Sequence, residues 1–204
     1  MSNNYNGTLV SIEGIDCSGK SSIIEALHWR LDDSYEFTQE PSYGKYGQLV
    51  RNELRSESDP TASDFFLFCA DRVDHCRSLI GPRLEKGKNI VTDRYNLSTY
   101  AYQSSVIEED MDVTDPFDYV DGVVSEFLIE PDLTIVVDVP PETSMTRMSD
   151  IETEKYETRQ RLERAREIYL SFADEKDYIE VVDGTQSKSN LIKECHELIV
   201  ENES

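Results

Sequence analysis

Apolar residues along this chain alternate between two spacings. Thr8 to Glu13 (TLVSIE) is a short, mostly apolar run and reads as a buried strand. From Lys20 to Leu31 the apolar positions are Ile23, Ile24, Leu27 and Leu31, the spacing of one helix face. Tyr35 to Thr38 reads as a second strand, and Tyr46 to Leu54 and Asp64 to Glu85 as helices. Asn89 to Thr92 is a third strand, stopped by Asp93, and a helix begins at Leu97 and runs to Ser104. Ile107 to Asp115 is acidic and poor in apolar residues, so it reads as a loop. Phe117 to Phe127 is helical, and LTIVVDV (133–139) is the clearest strand of all. A long charged helix follows from Thr158 to Ala173, then a last strand, Tyr178 to Val182, and a last helix, Leu191 to Val200.

Five strands alternating with helices predict an α/β fold: a five-stranded parallel sheet with helices on both faces, in three layers. Ligands of such sheets bind outside the carboxyl ends of the strands. The segments to inspect are therefore 14–21, 39–44, 93–95, 140–157 and 183–186.

At 204 residues, the length suits one domain spanning 1–204 with a short mobile lid. Neither an internal repeat nor a long linker divides it. The net charge of −22, from 42 acidic and 20 basic residues, would repel an exposed nucleic-acid duplex. It leaves small phosphorylated ligands open, since a pocket can be locally basic. The acidity reads as a solvated surface and, more specifically, as adaptation to a salt-rich cytosol, where screening makes such charge density tolerable. The polar start MSNNYNG and the lack of any membrane-length apolar run predict an intracellular chain with no membrane partner. Cys17, Cys69, Cys76 and Cys195 form no CxxC pair and fit free thiols in a reducing compartment. His28, His75 and His196 read as ordinary surface or boundary residues.

Candidate chemistry starts at GIDCSGKSS (14–22). Gly14, four residues, then Gly19-Lys20-Ser21 is a complete phosphate-loop pattern, between an apolar strand and an amphipathic helix. Gly19 lets the backbone approach an anion, and the helix N-terminus adds N–H donors. Lys20 reaches the terminal phosphates and the Ser21 hydroxyl can ligate Mg²⁺. A chance glycine turn would lack that strand–loop–helix context. Asp93-Arg94-Tyr95 follows the third strand. Asp93 there could hold Mg²⁺ through water, and Arg94 could bridge donor and acceptor phosphates. By themselves these two are equally well read as a strand-ending acid and a surface base.

The run DRYNLSTYAYQ (93–103) resembles the corresponding stretch of thymidylate kinases. So do FLFCADRVDH (66–75), IEGIDCSGKSS (12–22), Glu40-Pro41, PDLTIVVDVPPE (131–142) and VVDGTQS (181–187), in order along nearly the whole chain. The resemblance implies a phosphate-loop kinase that moves the terminal phosphoryl group of ATP, with Mg²⁺, to dTMP. The alternatives are a kinase preferring dUMP or another deoxynucleoside monophosphate, and a deoxynucleoside kinase with Glu40 as base. A non-catalytic nucleotide sensor would need the loop but not Asp93-Arg94. ATP would lie on Gly14, Asp16, Cys17, Ser18, Gly19, Lys20, Ser21 and Ser22, with Thr185 and Gln186 near its adenine. On the acceptor side Phe68 would stack on the pyrimidine, and Arg72, one turn later, would meet a base carbonyl. Thr99 and Gln103 would approach the base edge, and Tyr102 would lie against the sugar and exclude a 2′-hydroxyl. Arg51 would hold the acceptor phosphate, Glu40 would lie beneath it, and Asp16 would orient the sugar or phosphate surroundings; the plainer reading of Asp16 is a loop acid paired with a nearby arginine, and the two are compatible. Tyr156 joins the acceptor set, and a homodimer through the helices near 64–85 is implied.

The chain departs from the family pattern in three places. Cys17 stands where many members carry an arginine; a small residue that fits the loop is the plainer reading, a redox-sensitive thiol the sharper one. The lid, about 148–160, resembles the eukaryotic form, with Lys155 at the usual arginine position and Arg147, Arg159 and Arg161 as alternatives. Lysine is a point charge and arginine a bidentate fork, so that exchange is not neutral. Finally, EPSYGKYGQ carries Ser42 and Tyr43 where glycines are usual, which is expected to alter the mouth of the acceptor site.

Overall fold

The computed structural model describes residues 5–56, 58–148, 156 and 158–202. Five parallel strands form one sheet: β1 (Leu9–Glu13), β2 (Tyr35–Gln39), β3 (Asn89–Asp93), β4 (Leu133–Asp138) and β5 (Ile179–Asp183), in the spatial order β2-β3-β1-β4-β5. β1 is central because its residues are buried on both faces, as the apolar run predicts. Its buried Ser11 exchanges a 2.7 Å hydrogen bond with Thr134 of β4, so that hydroxyl is not stranded. The outer strands carry charges, with Glu36 on β2 and Glu180 on β5, which blunts the sheet edges.

The helices cover both faces. On one, α1 (Lys20–His28) and α9 (Lys188–Glu201) bury Ile23, Leu27, Leu191, Ile192 and Ile199 against Val10, Ile12 and Val137. On the other, α5 (Asn96–Asp110), α6 (Pro116–Val124) and α8 (Arg159–Glu175) pack Leu97, Ala101, Val120, Leu162 and Ile168 with Ile15 and Val136. α2 (Lys45–Leu54) and α3 (Ala62–His75) pair beside the end of β2. This is the three-layer α/β architecture the alternation predicts.

Three local expectations are corrected. The stretch from Ile107 is not a loop: α5 continues to Asp110. Its acidic last turn is held from across the chain, Arg164 pairing with Glu108 at 2.5 Å and Arg161 with Glu109 at 3.3 Å. Second, the expected helix 64–85 is three pieces: α3, a π-helical turn (Cys76–Ile80) and α4 (Gly81–Glu85). Pro82 explains the break, since it lacks the N–H that would bond the carbonyl four residues back and crowds that carbonyl. Third, Pro141–Met148 forms a helix, α7, within a segment read only as post-strand connection and lid. Proline at a helix start followed by Glu142 was the available signal. Most of the expected lid, including Lys155, lies outside the described residues. Among the described residues no helix is long and apolar enough to cross a membrane.

Candidate active site

The loop between β1 and α1 is shaped by backbone conformations that ordinary residues avoid. Gly14 has φ +136°, and a Cβ on it would stand 2.5 Å from the Val137 carbonyl oxygen. Gly19 has φ +117°, and Cys17 accepts the left-handed region at φ 53° despite its side chain. The amides of Gly19, Lys20 and Ser21 donate to no backbone carbonyl among the described residues, so they are open to an anion at the positive end of α1. The Ser18 hydroxyl is buried there with no partner among the described residues. Lys20 is buried, and its Nζ donates to the carbonyls of Gly14 (2.9 Å) and Ile15 (2.8 Å). Burial, then the nearby Arg94 charge, pushes its ammonium down to about 8; the carboxylates of Asp16, Asp93 and Glu13 oppose the shift.

A cleft of about 380 Å³ lies over this loop, walled by residues 17–23 on one side and by Gly184, Gln186, Lys188 and Leu191 on the other. Arg147 of α7 ties the walls together. Its Nη1 donates to the carbonyls of Cys17 and Ser18, both at 3.0 Å, and its Nη2 to that of Gly184 at 3.0 Å. Thr185 caps its own turn on Asp183, and Gln186 donates to Glu194 at 2.5 Å. A phosphate ester with a flat substituent is the kind of ligand this cleft fits.

The second cleft, about 100 Å³, lies on the other side of Asp16. It gathers Asp16, Glu40, Phe68, Arg72, Arg94, Thr99, Tyr102, Gln103 and Tyr156. Every residue expected on the acceptor side is there except Arg51, whose guanidinium donates to the carbonyls of Pro41 and Ser42. Arg94 links this cleft to the phosphate loop. This residue holds the left-handed conformation (φ 64°), which costs a non-glycine residue about 1–3 kcal/mol and recurs where a side chain must be aimed. Its guanidinium pairs with Asp16, donates to Gly14 O at 3.1 Å and sits 5.3 Å from the centre of the Tyr102 ring. Tyr102 donates to the other Asp16 oxygen at 2.8 Å. Burial works against the Asp16 carboxylate, but Arg94 and Lys20 outweigh it and hold its pKa below the usual range. Asp16 thus pairs with Arg94 from the segment after β3, as the plainer of its two compatible sequence readings has it. Asp93 ends β3 beside Arg94, its carbonyl taking the Glu40 amide at 2.9 Å.

Phe68 and Arg72 share one face of α3, as their four-residue spacing predicts. Arg72 is 2% exposed and spends four of its five N–H groups inside the protein. Nε and Nη2 reach Glu40 at 2.9 and 2.5 Å, Nη2 also reaches the Tyr95 carbonyl at 2.9 Å, and Nη1 reaches Thr99 at 2.6 Å. The other Glu40 oxygen lies 3.2 Å from His75, whose second ring nitrogen is 2.7 Å from the Thr38 hydroxyl. The reading of His75 as a surface or boundary residue is therefore corrected. It is buried, because Glu40 needs a second partner away from water. Glu40 has both oxygens engaged, and Arg72 and the His75 hydrogen bond hold its pKa low against burial. A carboxylate held ionised in this way is a poor general base.

The expectation for Ser42 and Tyr43 is also revised. Ser42 is buried and turned onto Asp71, with its amide and hydroxyl both 2.6 Å from that carboxylate. Tyr43 is exposed and donates to Gln39 at 2.8 Å. Neither lines the acceptor cleft. Gly47 permits this tuck, since a Cβ there would lie 2.0 Å from the Ser42 carbonyl oxygen.

Glu13 escaped the sequence reading. It lies buried beneath Arg94 and accepts from the amides of Tyr95 (2.9 Å) and Ser98 (3.1 Å), the Ser98 hydroxyl (2.6 Å) and Tyr169 (3.2 Å). Burial pushes its pKa up despite those donors. A carboxylate ending a buried, mostly apolar strand was the signal that could have found it.

Known proteins resemble this chain along most of its length. The family model for thymidylate kinase matches residues 12–195. A probable thymidylate kinase of Natronomonas pharaonis is 37% identical over 194 residues, covering 94% of this chain and 96% of its own. One of Halobacterium salinarum is 36% identical over 189 residues, 92% of each chain, and one of Methanosarcina barkeri 35% over 201 residues, 96% and 97%. The thymidylate kinase structure from Candida albicans superposes with a TM-score of 0.81 at 24% identity, covering 97% of this chain and 92% of that one, which supports the fold. With a family match across most of its length and relatives above one-third identity, the chain belongs to the thymidylate kinase family.

Proposed function

We propose that this protein transfers the γ-phosphoryl group of ATP to the phosphate of dTMP, giving dTDP and ADP. The observation that carries the reading is the reach of Arg94 from the acceptor cleft to the anion loop. It lines a cleft that holds an aromatic ring and a second planar guanidinium, and its own guanidinium, on a strained backbone, bonds Asp16 and the Gly14 carbonyl of the glycine-shaped loop. The acceptor phosphate is itself the nucleophile and is ionised at neutral pH, so no strong base is required. That disfavours a nucleoside kinase, whose natural candidate for the base, Glu40, is fully engaged. Catalysis is then alignment plus charge neutralisation by Lys20 and Arg94.

Mg²⁺ fits the donor side. The Ser21 hydroxyl is exposed at the start of α1 and the Asp93 carboxylate ends the adjacent strand, both hard oxygen donors. When bound there the ion would neutralise phosphate charge. Thr185 and Gln186 would flank the adenine. Lys155 would supply a further cation, and a second copy of the chain would dock through α3, whose Phe66 is 47% exposed.

A coupled ADP-release assay with Mg·ATP tests the reading. It should give strong turnover of dTMP, little of dCMP, dGMP or dAMP, and none of thymidine. Phosphorylation of thymidine but not dTMP would overturn it. In the same assay Phe68→Ala should raise the acceptor KM, with a loss of about 1–3 kcal/mol for a removed base–aromatic stack; an unchanged KM takes Phe68 out of the site.

We also infer a salt-rich cytosol from the −22 charge. Screening should raise the melting temperature between low salt and molar KCl. A flat melting temperature over that range removes the inference.

A further inference from the structure

We propose that Tyr156 and Asp64 fix which end of the Gln103 amide faces the acceptor base, and so select pyrimidines that carry a proton on ring nitrogen N3. The inference rests on the acceptor-site reading above. Tyr156 is 4% exposed, and its hydroxyl lies 2.9 Å from Asp64 Oδ2 on α3 and 3.1 Å from Gln103 Oε1 on α5. A phenol carries one proton and cannot donate to both.

The Asp64 carboxylate is the stronger acceptor, because a charged acceptor makes the shorter and stronger bond. It is also held in place, since Oδ2 accepts the Thr61 amide at 3.1 Å in the capping box that starts α3. The phenol proton therefore goes to Asp64. Burial and that same carboxylate push the phenol pKa up, so the proton stays on at neutral pH.

With its proton committed, the Tyr156 oxygen can only accept. Placing Gln103 Oε1 against it would face two lone pairs across 3.1 Å with no proton between them. A half-turn of the amide removes the conflict. The NH₂ end then donates to Tyr156 and the carbonyl oxygen is left facing the cleft. Nitrogen and oxygen of an amide are nearly the same size, so the hydrogen-bond network decides the orientation. The cleft-facing end of Gln103 has no other partner among the described residues.

The neighbouring donor completes the pattern. Arg72 Nη1 is anchored on Thr99, one helical turn before Gln103, and keeps one N–H unused. A donor from α3 and an acceptor from α5 thus line the same cleft. Thymine and uracil present a carbonyl at C4 beside N3–H, which matches. Cytosine presents an amine beside an unprotonated N3, which opposes both groups. Tyr156 and Asp64 are positioning residues acting through Gln103.

The test measures dTMP and dCMP affinities by calorimetry, so that it does not depend on turnover. Wild type should favour dTMP. Tyr156→Phe keeps the ring but removes the oxygen that orients the amide, and should lower the dTMP-to-dCMP affinity ratio about tenfold or more. In a Gln103→Ala background the same substitution should leave the ratio unchanged. A merely structural role would weaken both ligands together and would persist in that background; either result overturns the proposal, as does equal wild-type affinity for the two. Preserved selectivity with no ADP release would instead sink the kinase reading and leave this inference standing.

Discussion

Lys20→Ala should lower kcat by about 10³-fold or more. Removing one donor aimed at developing charge costs about 10²–10³-fold, and a cation placed on the transferring phosphoryl group is worth about 10³–10⁵. Lys20 is the buried cation of the phosphate loop, and its Nζ donates to two loop carbonyls at 2.8 and 2.9 Å. Its position is therefore set by the loop itself. Single-turnover rates at saturating ATP and dTMP separate this loss from weakened binding, and a near-normal rate would remove Lys20 from the reaction. The group also predicts a pH limit. Burial brings the free ammonium down to about 8. Since kcat/KM for ATP follows the free enzyme, it should fall as pH rises past about 8 and the loop loses its charge.

The second large effect concerns stability. Glu40→Ala should destabilise the fold by about 3–5 kcal/mol, the usual cost of leaving one member of a buried ion pair without its partner. Arg72 would lose two hydrogen bonds and remain a cation 2% exposed, and His75 would lose its carboxylate. Urea unfolding measures this, and a change below about 1 kcal/mol would show that the network matters little. The acid limb should change as well. Glu40 titrates lower in the folded protein than its ordinary 4.5. Its contribution is thus fully present above that value and is lost as pH falls through the folded pKa. Wild type should weaken there more steeply than Glu40→Ala.

Much of the architecture could be read from periodicity. Five apolar runs became five parallel strands within a residue or two at each end. The acceptor cleft could be read because Phe68 and Arg72 share a helix face, and because Thr99, Tyr102 and Gln103 lie in one motif. What escaped depends on partners far apart in sequence. The last turn of α5 is acidic and looks like loop until Arg161 and Arg164 of α8 are placed against it. His75 looks peripheral until the chain brings Glu40 to it from 35 positions away. Glu13 looks like the polar end of a strand until four donors from α5, α8 and the loop before α5 close around it. Spacing along one element shows which side chains travel together. It does not show which charge will be waiting across the fold.

Arg147 has a consequence for the energetics of nucleotide entry. Its three carbonyl contacts join the phosphate loop to the β5–α9 turn and hold both walls of the donor cleft at their spacing. Ordering those loops was completed during folding. An arriving nucleotide therefore forgoes little conformational entropy on that side, and the ordering that remains falls on its own rotors.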